Sequence, residues 1–324
     1  MRTKEEYLQD LSKMKKNLYF NGERIDRLDE RHIPTLNTMG TTFEMAENPK
    51  YKDLMLVKSH LTGKTINRFT HIHQSTEDLH KKQDMTRKLC QKVGGCIQRC
   101  MGCDATNAIY NVSYEADKMN KGKTKYHENF KKWLERFQEK DLVAACAQTD
   151  VKGDRIKRPA DQADPDMYVH VVEKRNDGII VRGCKLHISE ASISDEILVV
   201  PTRALRLEDK DYAVAFAVPA DYDRVKQVVT IHNLREREYF KRGFMPGGTD
   251  SYIIFDDVFV PWERVFLCGE YLHGGALALL FGLFHRHSYS GCKPAIGDLV
   301  VGTAALAAEY NNIQGASHVR QKLA

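Results

Sequence analysis

Two distant stretches of the chain contain the residues whose types and spacing could hold a metal centre. In residues 95–104, Cys96 and Cys100 are four positions apart, a spacing that brings two side chains to one face of a helix. The second stretch runs from His285 to Cys292, seven positions apart and again one helical face. Three thiolates and one imidazole would complete a four-ligand set for zinc or for an iron–sulfur cluster.

Spacing alone leaves other interpretations of these cysteines open. Cys103 lies three positions after Cys100 and seven after Cys96, so periodicity puts it on the same predicted face. With Cys100 it also forms a Cys-x-x-Cys pair, which is typical of metal and redox sites. Buried free cysteines are common in protein cores, and for Cys96 or Cys100 alone that interpretation is favoured.

The composition is that of an ordinary globular protein. The length of 324 residues predicts two domains or one large one. The formal net charge is +5 without a dense Lys/Arg block, which argues against a nucleic-acid partner. Four of the eight cysteines crowd into residues 90–103, as expected of reduced thiols or metal ligands in a reducing cytoplasm. Residues 1–20 lack a signal-peptide core and the apolar run 276–284 is too short to span a bilayer, so we expect a cytoplasmic protein with no membrane partner.

Three types of hydrophobic pattern follow one another along the chain. Residues 1–145 are predicted to form a helical domain, because apolar residues recur at helical spacing from Leu79 to Ile97 after a helix cap at Ser75. Residues 146–270 predict an antiparallel β domain, in which residues 168–182 form two strands around a tight turn. Residues 271–324 are helical again and end without a cap, so we expect a C-terminally truncated chain that contains only the beginning of a further helical domain.

Motifs spread along the whole chain resemble those of the 4-hydroxybutyryl-CoA dehydratase family, also called vinylacetyl-CoA Δ-isomerases. They are residues 64–69, 73–75, 96–100, 149–155, 255–261 and 285–293. This family groups with the flavin-dependent 4-hydroxyphenylacetate 3-monooxygenases. The resemblance implies an α+β fold of the acyl-CoA dehydrogenase type and a parent chain that continues into a C-terminal helical domain.

The resemblance also implies a cofactor for the cysteine-rich stretches. Cys96, Cys100, His285 and Cys292 match the ligands of the family's [4Fe-4S] cluster, whereas Cys103 is a bystander near the site. Replacing one thiolate by a neutral imidazole removes negative charge, which should raise the cluster's potential or leave that iron easier to open to a substrate oxygen.

A second cofactor implied by the resemblance is FAD. The matching residues are Gln148, Thr149, Asp150, Lys152, Gly153, Asp154 and Arg155, with His187 and Ser189 further along. From spacing alone, an ordinary surface turn is the favoured interpretation of residues 152–155. No G-x-G-x-x-G fingerprint follows a predicted strand, so a Rossmann cofactor domain is not supported.

The activity implied by the resemblance is that of a lyase that dehydrates 4-hydroxybutyryl-CoA to crotonyl-CoA and isomerises vinylacetyl-CoA. The C3 hydrogen of the substrate is unactivated, and a flavin that takes and returns one electron makes it acidic through a radical, assisted by the cluster. The matching catalytic residues are His285 as base, Tyr289, Lys293 and Asp250, the last standing where the family has a glutamate. Ser189 stands where a threonine is expected.

Alternative functions stay open from the sequence. A flavin-dependent aromatic hydroxylase of the same fold is one, and a non-catalytic fragment or subunit is another. A zinc-only site is the alternative metal. The resemblance implies an acyl-CoA thioester as substrate and a homotetramer in which neighbouring subunits share the flavin site, whereas the identity of the acyl group cannot be read from the sequence.

Overall fold

The structure is a computed structural model that describes residues 1–231 and 248–324. Its helices are α1 (Lys4–Lys13), α2 (Ile33–Glu47), α3 (Lys52–Met55), α4 (Thr76–Val93), α5 (Cys100–Met119), α6 (Tyr126–Glu139), α7 (Tyr271–Tyr310) and α8 (Ser317–Leu323). Its strands are β1 (Leu18–Phe20), β2 (Glu23–Ile25), β3 (Leu56–Lys58), β4 (Thr65–Asn67), β5 (Ala144–Ala147), β6 (His170–Lys174), β7 (Gly178–Ser189), β8 (Glu196–Val199), β9 (Val214–Pro219), β10 (Val225–Ile231), β11 (Thr249–Pro261) and β12 (Val265–Cys268).

The strands form two main sheets. A six-stranded sheet has the order β2-β1-β10-β11-β7-β6, and a four-stranded sheet has the order β12-β9-β8-β5. Most neighbours are antiparallel, but β1 runs parallel to β10 and β5 runs parallel to β8. The expected α+β class is confirmed. The predicted hairpin at residues 168–182 is also present as β6 and β7, closed by the bond from Arg175 N to Gly178 O at 2.8 Å.

The first two strands join a sheet that lies on the other side of the predicted domain boundary at residue 145. β1 and β2 belong to the predicted N-terminal helical segment, yet they extend the six-stranded sheet, with Leu18 opposite Gln227. The boundaries 1–145, 146–270 and 271–324 stay a prediction. The two sheets and helices α5 and α6 enclose one large apolar core that includes Phe130, Phe216 and Phe255.

Helices α4, α5 and α7 position the cysteine-rich stretches. α4 begins as predicted, because the Ser75 side chain accepts a hydrogen bond from the backbone N–H of Asp78. Its apolar face buries Met85, Leu89 and Val93. α7 packs across α4 and α5, and a Cβ at Gly291 would lie 2.5 Å from Gln83 O, so only glycine allows this close approach.

No helix in the described part of the chain is long and apolar enough to cross a membrane.

Candidate metal and flavin site

The connection between α4 and α5 contains Cys96. α4 ends at Gly94 in the left-handed conformation (φ 68°), and Gln98 adopts a positive φ of 56° before α5 begins at Cys100. The expectation that Cys96 and Cys100 share one helical face is therefore wrong, because the glycine ends the helix before Cys96. Cys96 lies in an irregular loop and Cys100 on the first turn of the next helix.

Arg99 fixes this loop to the rest of the protein. Its guanidinium is buried and donates to Asp141 Oδ1 at 2.7 Å and to Thr42 Oγ1 at 2.8 Å. It also lies over the Phe43 ring, 4.3 Å from the centroid. These contacts hold Cys100 in position without any help from a bound metal.

The thiols of Cys96, Cys100 and Cys292 converge from the loop, α5 and α7. The side chains of Cys96 and Cys292 interact, and this interaction together with burial raises the pKa of Cys96. Burial, followed by nearby acidic groups that include Cys96 and Cys292, raises the pKa of Cys100. Cys90, in α4, packs in the same cluster as Cys292 and is a fourth thiol at this place that the sequence did not single out. Such buried thiols become thiolates readily only when a cation takes the place of their protons.

His285 approaches the same place from α7. Its Nδ1 lies 3.0 Å from Asp104 Oδ2, and its Nε2 lies 3.0 Å from the Tyr289 hydroxyl. Possible ligand atoms of Cys100, Asp104 and His285 all lie within 4.8 Å of one another. Burial and then the thiols of the site raise the pKa of Tyr289, whose ring also carries the Lys293 ammonium at 4.9 Å from its centroid.

A buried ion pair lies directly behind His285. Lys82 and Asp104 are both fully buried and contact each other, and Ser288 Oγ donates to the same carboxylate at 3.0 Å. Burial opposes the charge of Asp104, but Lys82 and His285 keep the pKa of its carboxyl below the usual range. None of these three residues was predicted from the sequence as part of the site. Asp104 had a signal, because it follows Cys100 by one helical turn.

The donor set fits an iron–sulfur cluster. Three thiols and one imidazole come from two segments that are far apart in sequence, and Cys100 and Cys292 are buried. Cys103 is differently engaged, since its thiol accepts a bond from Asn107 Nδ2 at 3.8 Å and interacts with Lys82. Zinc could use the same four donors, because its ligands are of the same types.

The loop that follows β5 carries most of the predicted flavin residues. The Asp150 carboxylate points inward and forms a buried ion pair with Lys185 at 2.8 Å. Lys185 Nζ also donates to Gln148 O at 2.8 Å, and Leu186 N donates to Thr149 O at 2.8 Å. Asp150 therefore shapes the path of the loop, and its side chain is not presented to a ligand at the surface.

The remainder of that loop is open to solvent. Asp154 and Arg155 are exposed and Lys152 is half-buried. A Cβ at Gly153 would lie 2.3 Å from Met167 Sδ and 2.5 Å from Gln162 Oε1, and its φ is 51°. The backbone conformation at Gly153 therefore favours glycine, whereas the nearby atoms belong to flexible side chains that can shift. The two basic side chains are available for an anionic group such as a flavin pyrophosphate.

The end of β7 supplies His187, Ser189 and their partner on β11. His187 is exposed and has φ 56°, next to an irregularity in the pairing with β11 between Ser251 and Ile253. Ser189 Oγ donates to Asp250 Oδ1 at 2.6 Å. The serine hydroxyl thus holds the carboxylate that stands in for the expected glutamate.

Glu190 is a further buried acid that the sequence did not indicate. It adopts φ 62°, and burial raises the pKa of its carboxyl well above the usual range, with Cys96 and Asp250 adding to the shift. A Cβ at Gly248 would lie 2.1 Å from both Glu190 Oε1 and Gln98 Oε1. A glycine at position 248 therefore leaves room for both side-chain oxygens beside the cysteine loop.

Comparison with known proteins defines the class. The family models described as "4-hydroxyphenylacetate 3-hydroxylase N terminal" and "4-hydroxyphenylacetate 3-hydroxylase C terminal" match residues 3–267 and 275–324. The chain belongs to this family of enzymes, with the acyl-CoA dehydrogenase-like fold that the sequence predicted.

Individual relatives narrow the comparison within the family. The chain is 46% identical to the 4-hydroxybutyryl-CoA dehydratase/vinylacetyl-CoA-Δ-isomerase of Clostridium aminobutyricum, over 99% of this chain and 67% of the relative. The solved archaeal 4-hydroxybutyryl-CoA dehydratase from N. maritimus has a TM-score of 0.93 at 34% identity, covering 99% of this chain and 65% of that one. The FAD complex of a 4-hydroxyphenylacetate 3-monooxygenase oxygenase component has a TM-score of 0.82 at 25% identity, over 100% of this chain and 67% of that one. The chain thus spans about two thirds of the length of these relatives.

Proposed function

We propose that the protein is a 4-hydroxybutyryl-CoA dehydratase-like lyase that converts a 4-hydroxyacyl-CoA thioester to the 2-enoyl thioester and also isomerises the vinylacetyl thioester. The single observation that supports this most is the approach of Cys96, Cys100 and Cys292 to one another beside His285. The similarity to the dehydratases of C. aminobutyricum and N. maritimus supports the same class of substrate.

The cofactors we assign are FAD and a [4Fe-4S] cluster. Cys96, Cys100, His285 and Cys292 would hold the cluster, and the loop of residues 148–155 with His187 and Ser189 would hold FAD. FAD, when bound, would supply one-electron chemistry and the cluster a Lewis-acidic iron. Free thiols must persist for a cluster to be assembled, which is the reason to expect a reducing compartment such as the cytoplasm.

The overall reaction fixes the proton transfers that the protein must perform. One hydrogen leaves C2 and one leaves C3, the C4–OH bond breaks, and one hydrogen returns to C4, so that water is the net product. The Nε2 atom of His285, when it is not bound to a metal, is the base that we assign to the C2 proton, because Asp104 engages the other ring nitrogen. The Tyr289 hydroxyl, 3.0 Å from Nε2, is positioned to pass a proton on toward the leaving hydroxyl.

Two further predicted catalytic residues, Lys293 and Asp250, would assist His285 and Tyr289. The Lys293 ammonium over the Tyr289 ring would favour the phenolate form of the tyrosine during proton transfer. Asp250, held by Ser189 Oγ at 2.6 Å, would orient groups at the flavin side of the site. Both assignments rest on the resemblance of the sequence and on these contacts.

The function is tested with the purified protein, kept anaerobic. We expect crotonyl-CoA from both 4-hydroxybutyryl-CoA and vinylacetyl-CoA, and loss of both activities in the Y289F variant. Y114F is a matched control, since Tyr114 is an exposed tyrosine on α5. Retention of full activity by Y289F would remove the tyrosine from the mechanism, and absence of both products from a protein loaded with iron and flavin would contradict the proposed reaction.

A second candidate is a flavin-dependent aromatic hydroxylase. It is supported by the 28% identity to the 4-hydroxyphenylacetate 3-monooxygenase oxygenase component of Thermus thermophilus, over 100% of this chain. The same preparation therefore receives reduced FAD, oxygen and 4-hydroxyphenylacetate. A dihydroxylated product without any iron in the protein would favour this candidate over the lyase.

The proposed function includes an oligomeric state and raises the question whether the chain is active without another polypeptide. We expect a homotetramer, and sedimentation of the purified protein measures it. If the purified chain binds FAD and iron without turnover, it behaves as the non-catalytic fragment or subunit that is the alternative function predicted from the sequence.

A further inference from the structure

We propose that the buried pair Lys82–Asp104 is a positioning device for His285: it fixes the proton on Nδ1 and leaves the Nε2 lone pair directed to the thiol side. This inference rests on the proposed cluster for its consequence, but the tautomer itself is a property of the protein without any metal. Lys82 and Asp104 touch neither cofactor nor substrate in this proposal and are positioning residues.

The carboxylate of Asp104 can only accept hydrogen bonds, and three donors surround it. His285 Nδ1 lies 3.0 Å from Oδ2, Ser288 Oγ lies 3.0 Å from Oδ1, and the Lys82 ammonium contacts Oδ1. Because an ionised carboxylate has no proton to give, the hydrogen in the His285 contact belongs to Nδ1. A neutral imidazole then carries its lone pair on Nε2.

The orientation of the ring directs this lone pair. Phe281 stacks on His285 with an angle of 5° between the ring planes and 5.6 Å between the centroids. Nε2 faces the Tyr289 hydroxyl at 3.0 Å, and Tyr289 is close enough to Cys96, Cys100 and Cys292 for these thiols to raise its pKa. The lone pair therefore lies on the same side as the predicted thiolate ligands.

One lone pair serves two partners in turn. When no cation is present, Nε2 accepts the Tyr289 hydroxyl hydrogen, because Nδ1 already donates to Asp104. A metal bound at Nε2 would take the same lone pair and leave the Tyr289 hydroxyl for other partners. The pair Lys82–Asp104 thus determines which nitrogen binds metal and, through it, when Tyr289 is released.

The ammonium group of Lys82 offsets the free-energy cost of burying the Asp104 carboxylate. The Lys82 side chain extends from α4 and is 0% exposed, and the Asp104 carboxylate that it contacts compensates its charge. A purely structural role, in which the pair only ties α4 to α5, is the competing explanation. It predicts no effect on the tautomer of His285 or on its bond to a metal once the variant is folded.

The test separates positioning from structure with a charge-balanced variant. K82M/D104N removes both charges while keeping the shape of the two side chains, and D298N is the matched control. Asp298, on α7, pairs with Arg87 of α4 at 3.0 Å on the exposed surface, so D298N removes a helix-to-helix ion pair away from His285. Circular dichroism and thermal unfolding select the variants that fold.

The first readout needs no cofactor. In the protein with ¹⁵N-labelled histidine, free of metal, we expect a protonated Nδ1 and an unprotonated Nε2 for His285, assigned by comparison with H285Q. In K82M/D104N we expect the two tautomers to mix, whereas D298N should resemble the parent protein. An Nε2–H tautomer in the parent protein, or an unchanged tautomer in the folded double variant, overturns the proposal.

The second readout uses the protein reconstituted anaerobically with iron and sulfide. We expect K82M/D104N to lose iron to a chelator at roughly 10 to 100 times lower chelator concentration than the parent, the range typical when a carboxylate behind a metal-bound histidine is removed. The ¹⁴N hyperfine coupling of the reduced cluster should weaken in this variant and not in D298N. Equal iron retention and equal coupling in both variants would show that the Lys82–Asp104 pair only holds α4 and α5 together. A parent protein that takes up no cluster contradicts the proposed function, while the tautomer measurement still decides this inference.

Discussion

The side chains of Cys96 and Cys292 lie in one apolar cluster and interact with each other, although the two residues come from distant parts of the chain. Cys96 lies in the loop before α5 and Cys292 in the middle of α7, so their contact depends on how α7 crosses α4 and α5. Because Cys100 and His285 lie beside this contact, the relationship of the two thiols defines the centre of the proposed site.

The C292S variant tests the role of that contact in metal binding. A serine oxygen is a poor substitute for a thiolate at an iron–sulfur site, so we expect iron and sulfide per chain to fall by at least about tenfold. C184S is the control, because Cys184 lies on β7 and interacts electrostatically with Asp150, Asp164 and Asp166, away from the other thiols. Metal analysis after anaerobic reconstitution measures both, and equal losses in the two variants would contradict the assignment.

Gly291 allows α7 to approach α4 beside Cys292. A Cβ at this position would lie 2.5 Å from Gln83 O and 2.9 Å from Thr86 Cβ, so G291A forces the helices apart. We expect a loss of about 1 to 3 kcal/mol in the free energy of unfolding and weaker retention of iron.

G297A is the matched control for that change. Gly297 lies in the same helix, and a Cβ there would meet nothing within 4 Å. We expect G297A to be neutral or to stabilise by up to ~1 kcal/mol, because alanine favours the helix. Urea unfolding compares the two variants, and a G291A protein as stable as G297A would show that the close approach is unimportant.

Lys185 stabilises the loop that carries the predicted flavin residues. Its ammonium is buried and contacts Asp150, Gln148 O and Val200 O at 2.8 to 2.9 Å. K185M would leave the Asp150 carboxylate buried without its cation, so we expect a loss of about 3 to 5 kcal/mol and weaker FAD binding. K64M removes an exposed pair with Glu139, which water screens, and should leave the stability almost unchanged. Similar unfolding midpoints for K185M and K64M would exclude the buried pair as a stabilising element.

His32 makes the stability depend on pH. Burial lowers the pKa of this histidine from its ordinary value of 6.5 to about 4 in the folded protein. Between these two values the unfolded chain binds a proton that the folded chain does not, so the free energy of unfolding falls as the pH drops through this window.

H32L should remove that contribution. We expect the loss of unfolding free energy between pH 7.5 and pH 5 to be about 2 kcal/mol smaller in H32L than in the parent protein. H318L is the control, because His318 is exposed near the end of the chain. Urea unfolding at both pH values measures the difference, and an unchanged pH dependence in H32L would assign the acid sensitivity to other groups.

The sequence predicted those parts of the fold that depend on local signals. The Ser75 cap, the periodic apolar residues of α4 and the turn between β6 and β7 are local, and all three are present. The two parallel strand pairs were not predicted, because β1 with β10 and β5 with β8 join segments far apart in sequence. Such pairings depend on the packing of the whole domain.

The same distinction holds for the site. Family resemblance led to Cys96, Cys100, His285 and Cys292, whereas spacing alone could not choose between Cys96 and Cys103 as the partner of Cys100. It also put Cys96 on a helix that Gly94 ends first. Lys82 and Glu190 carried no signal, since a buried lysine or glutamate is recognised only from the atoms that surround it.

The most direct test of the central claim is the iron, acid-labile sulfide and flavin content of the anaerobically purified protein, read together with its visible spectrum. We predict a brown protein with about four iron and four sulfide per chain and FAD present. A colourless protein without iron after reconstitution, or one that holds a single zinc ion at these cysteines, would contradict the account.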